Sequence, residues 1–207
     1  MKKTTLKLLL FSFVMSFLMI IPTKVNAEEI IPVNISVKYG QTEDRRILDM
    51  INELRTSPTD AWAWDKTDTK QVAYPGLKEL VYDYDLERLA MKRAAEIALS
   101  YDHTRPNGQN PFTIYTEENI TRRDAGENIA VASPNVYSKA EAVNDGWRED
   151  NEPYAGQGHR RNMLGYKFTC VGVGHVTYNG YDYWVEEFAS RPSINTTETP
   201  ANDSEQT

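Results

Sequence analysis

The stretch Phe168-Thr169-Cys170-Val171-Gly172-Val173-Gly174-His175-Val176-Thr177-Tyr178-Asn179-Gly180-Tyr181-Asp182-Tyr183-Trp184-Val185-Glu186-Glu187-Phe188-Ala189 decides the fold class. Its two halves, 168–178 and 181–189, are rich in Val, Tyr, Trp and Phe, a composition of strands. Asn179-Gly180 joins them. An Asn-Gly pair between two such runs is the strongest short-range hairpin signal, because both turn positions need positive φ. The reading predicts two antiparallel strands late in the chain, with residues 128–131 as a further strand.

Working back toward the N-terminus, the period changes. Leu86, Leu89, Ala90, Ala94, Ile97, Ala98 and Tyr101 recur at helical spacing behind Asp85, a good N-cap. This helix stops before Pro106 and Gly108, which places His103 at or just past its C-terminal end. Residues 43–56 form an earlier helix, with Ile47, Leu48, Ile51 and Leu54 on one face, Thr42 as N-cap and Pro58 beyond its end. A third starts at Ser138, where Ser138-x-x-Glu141 forms a capping box and Ala140, Val143 and Trp147 give the apolar face. Residues 59–84 read as a long irregular connection. Helices come early and strands late, which argues for an α+β layered domain over a βαβ repeat.

The two ends read differently. Residues 1–27 carry Lys2, Lys3 and Lys7, an apolar run over 8–21, and Val25-Asn26-Ala27 at the end, the pattern of a secretory signal peptide. The apolar run is short of the roughly 20 residues a membrane span needs. The protein is therefore expected to be secreted and extracellular, with no membrane span after signal cleavage. Residues 28–41 read as an extended lead-in. Residues 191–207, rich in Ser, Thr, Asn, Glu and Pro, read as a disordered polar tail. A single domain, 42–190, remains.

Across 207 residues, 23 Lys and Arg stand against 30 Asp and Glu, a net charge of −7. Without residues 1–27 and their four lysines the balance is 19 against 30, or −11. No Lys/Arg-rich run occurs, so nucleic acid is not an expected partner. The acidic balance makes a cation a better small partner than phosphate. The single Cys, Cys170, excludes an internal disulfide framework and any multi-Cys metal site, and reads as a buried packing residue. Only three His are available for imidazole chemistry.

Two of those His sit in short, distinctive runs: His103-Thr104-Arg105-Pro106-Asn107-Gly108 and Gly158-His159-Arg160-Arg161-Asn162-Met163-Leu164. Between them comes Gly126-Glu127-Asn128-Ile129-Ala130. Leu80-Val81-Tyr82-Asp83 precedes the main helix, Trp147 lies on the third, and Phe168-Thr169-x-Val171-Gly172-Val173-Gly174 opens the hairpin. In this combination and order, the runs resemble the CAP superfamily, the cysteine-rich secretory, antigen 5 and pathogenesis-related proteins that carry the SCP domain. The likeness spans 42–190 and is nearest to the bacterial secreted branch.

The resemblance implies an α-β-α sandwich, a mostly antiparallel sheet between helical layers. It also implies a cleft lined by two His and two acids: His103, Glu127, His159 and, at the fourth position, Asp150, with Glu149 directly before it. His103 and His159 are the expected metal ligands. Neutral imidazole suits Zn²⁺ or another divalent cation, and a carboxylate can accept the second ring N–H. Two protein ligands make a weak site, so no cofactor is required. The alternative is that the imidazoles and carboxylates hydrogen-bond one another and tie helices to sheet.

There is no His-Glu-x-x-His, Gly-x-Ser-x-Gly or glycine-rich phosphate loop. Three functions fit this reading. One is an extracellular binding module for a lipid, sterol-like molecule, glycan or protein. Another is a metal-assisted hydrolase of peptide or cell-wall amide bonds with Glu127 as base. The last is a purely structural domain docking a partner through 59–84 or the tail. The absence of a complete catalytic motif favours the first. Fold-level likeness does not select the ligand.

Overall fold

A computed structural model describes residues 33–133, 136 and 138–206. The expected signal peptide, 1–27, and the first residues of the lead-in lie outside the described residues. In chain order the first elements are β1 (Val37–Tyr39), α1 (Gln41–Asp44), α2 (Ile47–Thr56), β2 (Trp62–Trp64), β3 (Gln71–Ala73) and β4 (Val81–Tyr82). Next come α3 (Tyr84–Leu99), α4 (Thr113–Glu117), β5 (Ala125–Ala132) and α5 (Ala140–Arg148). A 3₁₀ turn (Tyr154–Gly156), α6 (Gly158–Met163), β6 (Cys170–Tyr178), β7 (Tyr181–Ala189) and β8 (Glu205–Gln206) complete the order.

The hairpin forms as the sequence predicts. Asn179 (φ 51°) and Gly180 (φ 80°) make the turn, and Tyr178 stands opposite Tyr181 while Cys170 meets Ala189. The main sheet runs β5-β7-β6-β1-β8. Its pairings are antiparallel apart from β4, which joins β6 in parallel. Among the described residues β5 bonds only to β7, and so forms one edge of the sheet.

Alternation along β6 separates the two helical layers. Gly172 and Gly174 face α3, where a Cβ on Gly172 would lie 2.2 Å from the Glu87 backbone N and one on Gly174 2.3 Å from the Ala90 carbonyl carbon. Only glycine permits an approach this close. Val171 and Val173 face the other way, into a core with Trp147, Trp184 and Phe188 that α2, α5 and α6 close. Burying each large aromatic side chain contributes about 2–3 kcal/mol. The result is the α-β-α sandwich.

Several local readings are corrected by tertiary partners. The helix expected over 43–56 breaks at Arg45–Arg46 into α1 and α2. Arg45 donates to Glu87 at 2.6 Å and lies over the Tyr84 ring, and Thr42 is not a cap: its hydroxyl donates to Asp203. α3 is capped by Asp83, which accepts the Asp85 N–H at 3.0 Å, and not by Asp85. The Ser138 capping box does not form, because Glu43, far away in sequence, accepts the Ala140 N–H at 3.1 Å. The connection 59–84 holds the β2–β3 hairpin and β4.

The disordered tail is the largest correction. Residues 191–206 lie back on the domain. Arg191 bonds to Asp83 and Asp85, the Asn195 carbonyl accepts the Tyr84 N–H at 2.9 Å, and β8 pairs with β1. The segment is too polar to build a core, but hydrogen bonds to a surface that is already folded hold it in place.

Candidate functional site

The site grows out of the free edge of β5. Beyond α3 the chain turns, and His103 donates from Nδ1 to Glu127 Oε1 at 2.7 Å. Its side chain is 55% exposed, whereas Glu127 is buried. Arg93, fully buried on α3, grips the same carboxylate with Nε on Oε2 at 2.7 Å and Nη2 on Oε1 at 3.2 Å. The hydrogen bond to Glu127 raises the His103 imidazole above its ordinary value. Burial pushes the Glu127 carboxyl up, but the bonds from His103 and Arg93 and the Arg93 charge hold it below the usual range. Glu127 thus orients His103, with both of its oxygens engaged.

The second His is built differently. α5 ends at Glu149 in the left-handed region (φ 48°, ψ 38°), which costs roughly 1 kcal/mol in a residue with a side chain. The turn aims the carboxylate at the start of α6. Glu149 Oε2 accepts the His159 and Arg160 N–H groups at 3.0 and 3.2 Å, and Oε1 accepts from His159 Nδ1 at 2.5 Å. Asp150, expected in this role, bonds instead to Arg160 and Arg148. Glu149 is the acid bonded to the His159 ring, and both acids line the cavity beside it.

The residues after His159 hold the site together. Arg160 is fully buried, donates to the carbonyls of Trp62 (2.6 Å), Arg148 (2.8 Å) and Asp60 (2.5 Å), and lies 4.4 Å over the Trp62 ring. Asn162 Nδ2 donates to Asn128 Oδ1 at 2.8 Å and to the Glu127 carbonyl at 3.2 Å. Asn128 Nδ2 returns to the His159 carbonyl at 3.2 Å.

The two His–carboxylate pairs follow one another along β5. His103 and Glu127 line a cavity of about 460 Å³ beside Ala125 and Gly126. His159 and Glu149 line one of about 480 Å³ beside Ile129, Val131 and Trp147. Adjacent strand residues face opposite ways, so Glu127 on the α3 side and Asn128 on the α6 side bring the two halves to one edge from different layers. An imidazole that donates its Nδ1–H to a carboxylate keeps a lone pair on Nε2, the ligand a divalent metal accepts. Yet no group of three or more His, Cys, Asp or Glu side chains is gathered for a metal among the described residues. Each half offers one imidazole.

The remaining candidates are structural. His175 is buried, with Nε2 2.9 Å from Asp182 and its ring stacked 3.8 Å from Trp184. Cys170 is buried, and desolvation pushes its thiol up to about 12. The sequence reading passed over Arg93, Glu186 and Glu187. Two adjacent acids inside Tyr183-Trp184-Val185-Glu186-Glu187-Phe188 were the available signal, since an apolar strand buried on both faces has no reason to carry them.

A family model described as "Cysteine-rich secretory protein family", CAP, matches residues 48–188, most of the described domain. The chain belongs to the CAP family. This CAP domain is 30% identical over 146 residues to the uncharacterized protein YkwD of Bacillus subtilis (strain 168), covering 68% of this chain and 52% of YkwD. It thus spans about half the length of that curated relative. Among solved structures it is similar to an outer surface protein of Borrelia burgdorferi, with a TM-score of 0.54 and 21% identity over 76% of this chain and 99% of that one. It is also similar to an extracellular SCP-domain protein of Bacillus anthracis, with a TM-score of 0.52 and 22% identity over 72% of this chain and 41% of that one. Both likenesses bear on the fold, and they agree with the sandwich described above. Among the described residues no helix is long and apolar enough to cross a membrane.

Proposed function

We propose that this CAP domain is an extracellular binding module whose ligand lies along the outer edge of β5, against the His103–Glu127 and His159–Glu149 pairs. One observation carries the reading: each imidazole is fixed at Nδ1 by its own carboxylate beside an open cavity, so each offers Nε2 as a fixed polar contact. Extracellular placement is supported by the signal-like residues 1–27 and by the relatives, which are described as an outer surface protein and an extracellular protein.

Among the described residues the larger cavity is lined by Asp145, Glu149, Asp150 and Glu152 and by no Lys or Arg, which favours a neutral or cationic ligand over an anionic one. A glycan or a protein segment fits better than a fatty-acid carboxylate. A divalent cation is at most a weak guest of single imidazoles. The hydrolase alternative lacks a free base at Glu127, and among the described residues no Ser or Cys lines either cavity.

Glycan and peptide arrays probed with the wild type and with His103→Ala/His159→Ala test this reading. Specific capture lost in the double variant supports it. Capture that is unchanged in the double variant places the ligand elsewhere and overturns it.

A further inference from the structure

Beneath both halves of the site, the edge strand β5 and its neighbour β7 set four polar residues side by side. Glu127 stands opposite Glu187, and Asn128 opposite Glu186. All four are buried, Asn128 and both glutamates of β7 completely. By strand alternation Glu127 and Glu187 share the α3 face, while Asn128 and Glu186 share the other.

Each β7 glutamate meets one half of the site. Glu187 Oε2 accepts the Tyr115 hydroxyl at 3.0 Å, its Oε1 has no donor, and it stands directly across the strand pair from Glu127. Glu186 Oε2 accepts Asn128 Nδ2 at 2.7 Å, and its Oε1 likewise has no donor. That same Asn128 amide holds the His159 carbonyl.

We propose that Glu186 and Glu187 are the positioning residues of the site: Glu187 fixes Glu127 and through it His103, and Glu186 fixes Asn128 and through it His159. Neither reaches a ligand. Both act as neutral acids. Two buried carboxylates with an undonated oxygen each would be severely penalised, whereas a carboxylic acid supplies its own donor. At Glu187 that donor serves the Glu127 carboxylate, which Arg93 and His103 hold ionised from the other side. Burial drives both β7 acids upward, Glu186 to about 8, and the Glu127 charge adds to the effect at Glu187.

The inference rests on the site as read above, but its test needs no ligand. With Glu carboxyl ¹³C labelling at pH 6, the wild type is expected to show two neutral carboxyl resonances. Glu186→Gln and Glu187→Gln are each expected to remove one. The ring ¹⁵N signals of three His report position, with His175 as internal control. The Gln variants, which keep a neutral donor, are expected to leave all three signals in place. Glu187→Leu is expected to move His103 alone, and Glu186→Leu to move His159 alone.

Absence of neutral carboxyls at pH 6 overturns the proposal. So does a folded Leu variant that moves neither ring or both together. If a Leu variant fails to fold, the Gln pair still decides. A proposed function that fails for want of a ligand leaves these spectra unchanged, so the two failures are distinguishable.

Discussion

The Glu149 carboxylate bonds His159 at both its ring and its backbone, at 2.5 Å to Nδ1 and 3.0 Å to N–H, and reaches the Arg160 N–H with the same oxygen. One side chain therefore orients the imidazole and satisfies two of the orphan donors at the start of α6. It can do so because α5 ends on a left-handed residue that swings Glu149 back toward the loop. Its neighbour Asp150 points at the buried Arg160 guanidinium, which would otherwise be short of a counter-charge.

Exchanging the two acids separates these roles. Glu149→Ala is expected to lower stability by about 1–2 kcal/mol from the lost cap, with the left-handed backbone cost unchanged because alanine keeps its Cβ. It is also expected to free the His159 ring. Asp150→Ala is expected to destabilise through Arg160 and leave the His159 ring signal where it was. Urea unfolding with ¹⁵N spectra of the His side chains reads both. A His159 signal that follows Asp150 and not Glu149 would return the fourth position to Asp150.

Stability is expected to fall as pH rises. Glu186 keeps its proton to about 8 when folded but gives it up near the ordinary 4.5 when unfolded, so its contribution is full below that lower value and lost as pH passes the upper one. His103, raised by its bond to Glu127, works in the same direction: its contribution is full below the ordinary imidazole value and fades through the raised one. Glu186→Gln stays neutral throughout. At about pH 9 it is expected to exceed the wild type by on the order of 1–3 kcal/mol, and to differ little near pH 4. Urea midpoints across that range check the crossing. A difference between wild type and Glu186→Gln that does not change with pH would contradict the buried neutral acid.

Metal binding is expected to be weak and divisible. Calorimetry with Zn²⁺ should show each of His103→Ala and His159→Ala removing part of the heat and the double variant removing saturable binding. Glu149→Gln, which keeps the ring but weakens its support, should cost about tenfold at the His159 half. Affinity at the His103 half should drop on acidification as its imidazole, raised by Glu127, protonates. A single tight site, unaffected by either substitution, would refute two independent imidazoles.

The hairpin, the β5 strand, the α3 face and the order of the His motifs were legible in the sequence because each rests on local chemistry: turn φ, side-chain period, short motif. What was not legible depends on distant partners. Ser138 lost its cap to Glu43, the His159 ring is held by Glu149 and not by Asp150, and Arg93 engages both oxygens of Glu127. Residues 191–207 read as disordered because composition measures how much apolar surface a segment can bury. It does not register that Asp83, Asp85, Gln41 and Thr42 wait as hydrogen-bond partners.

That strap supplies the last expectation. Asp83 is fully buried, caps α3, and takes its counter-charge from Arg191. Arg191→Ala would leave the carboxylate buried and unpaired, a loss of about 3 kcal/mol by analogy with other broken buried pairs. Deleting 191–207 removes that partner, the Asn195 contacts to Asp83 and Asp85, and the β8 cover over β1. The deletion is therefore expected to destabilise at least as much as Arg191→Ala, and to leave an open β1 edge prone to self-association. Thermal unfolding and light scattering of both variants measure this. A truncated chain as stable and as monomeric as the full one would make the segment a solvated tail after all.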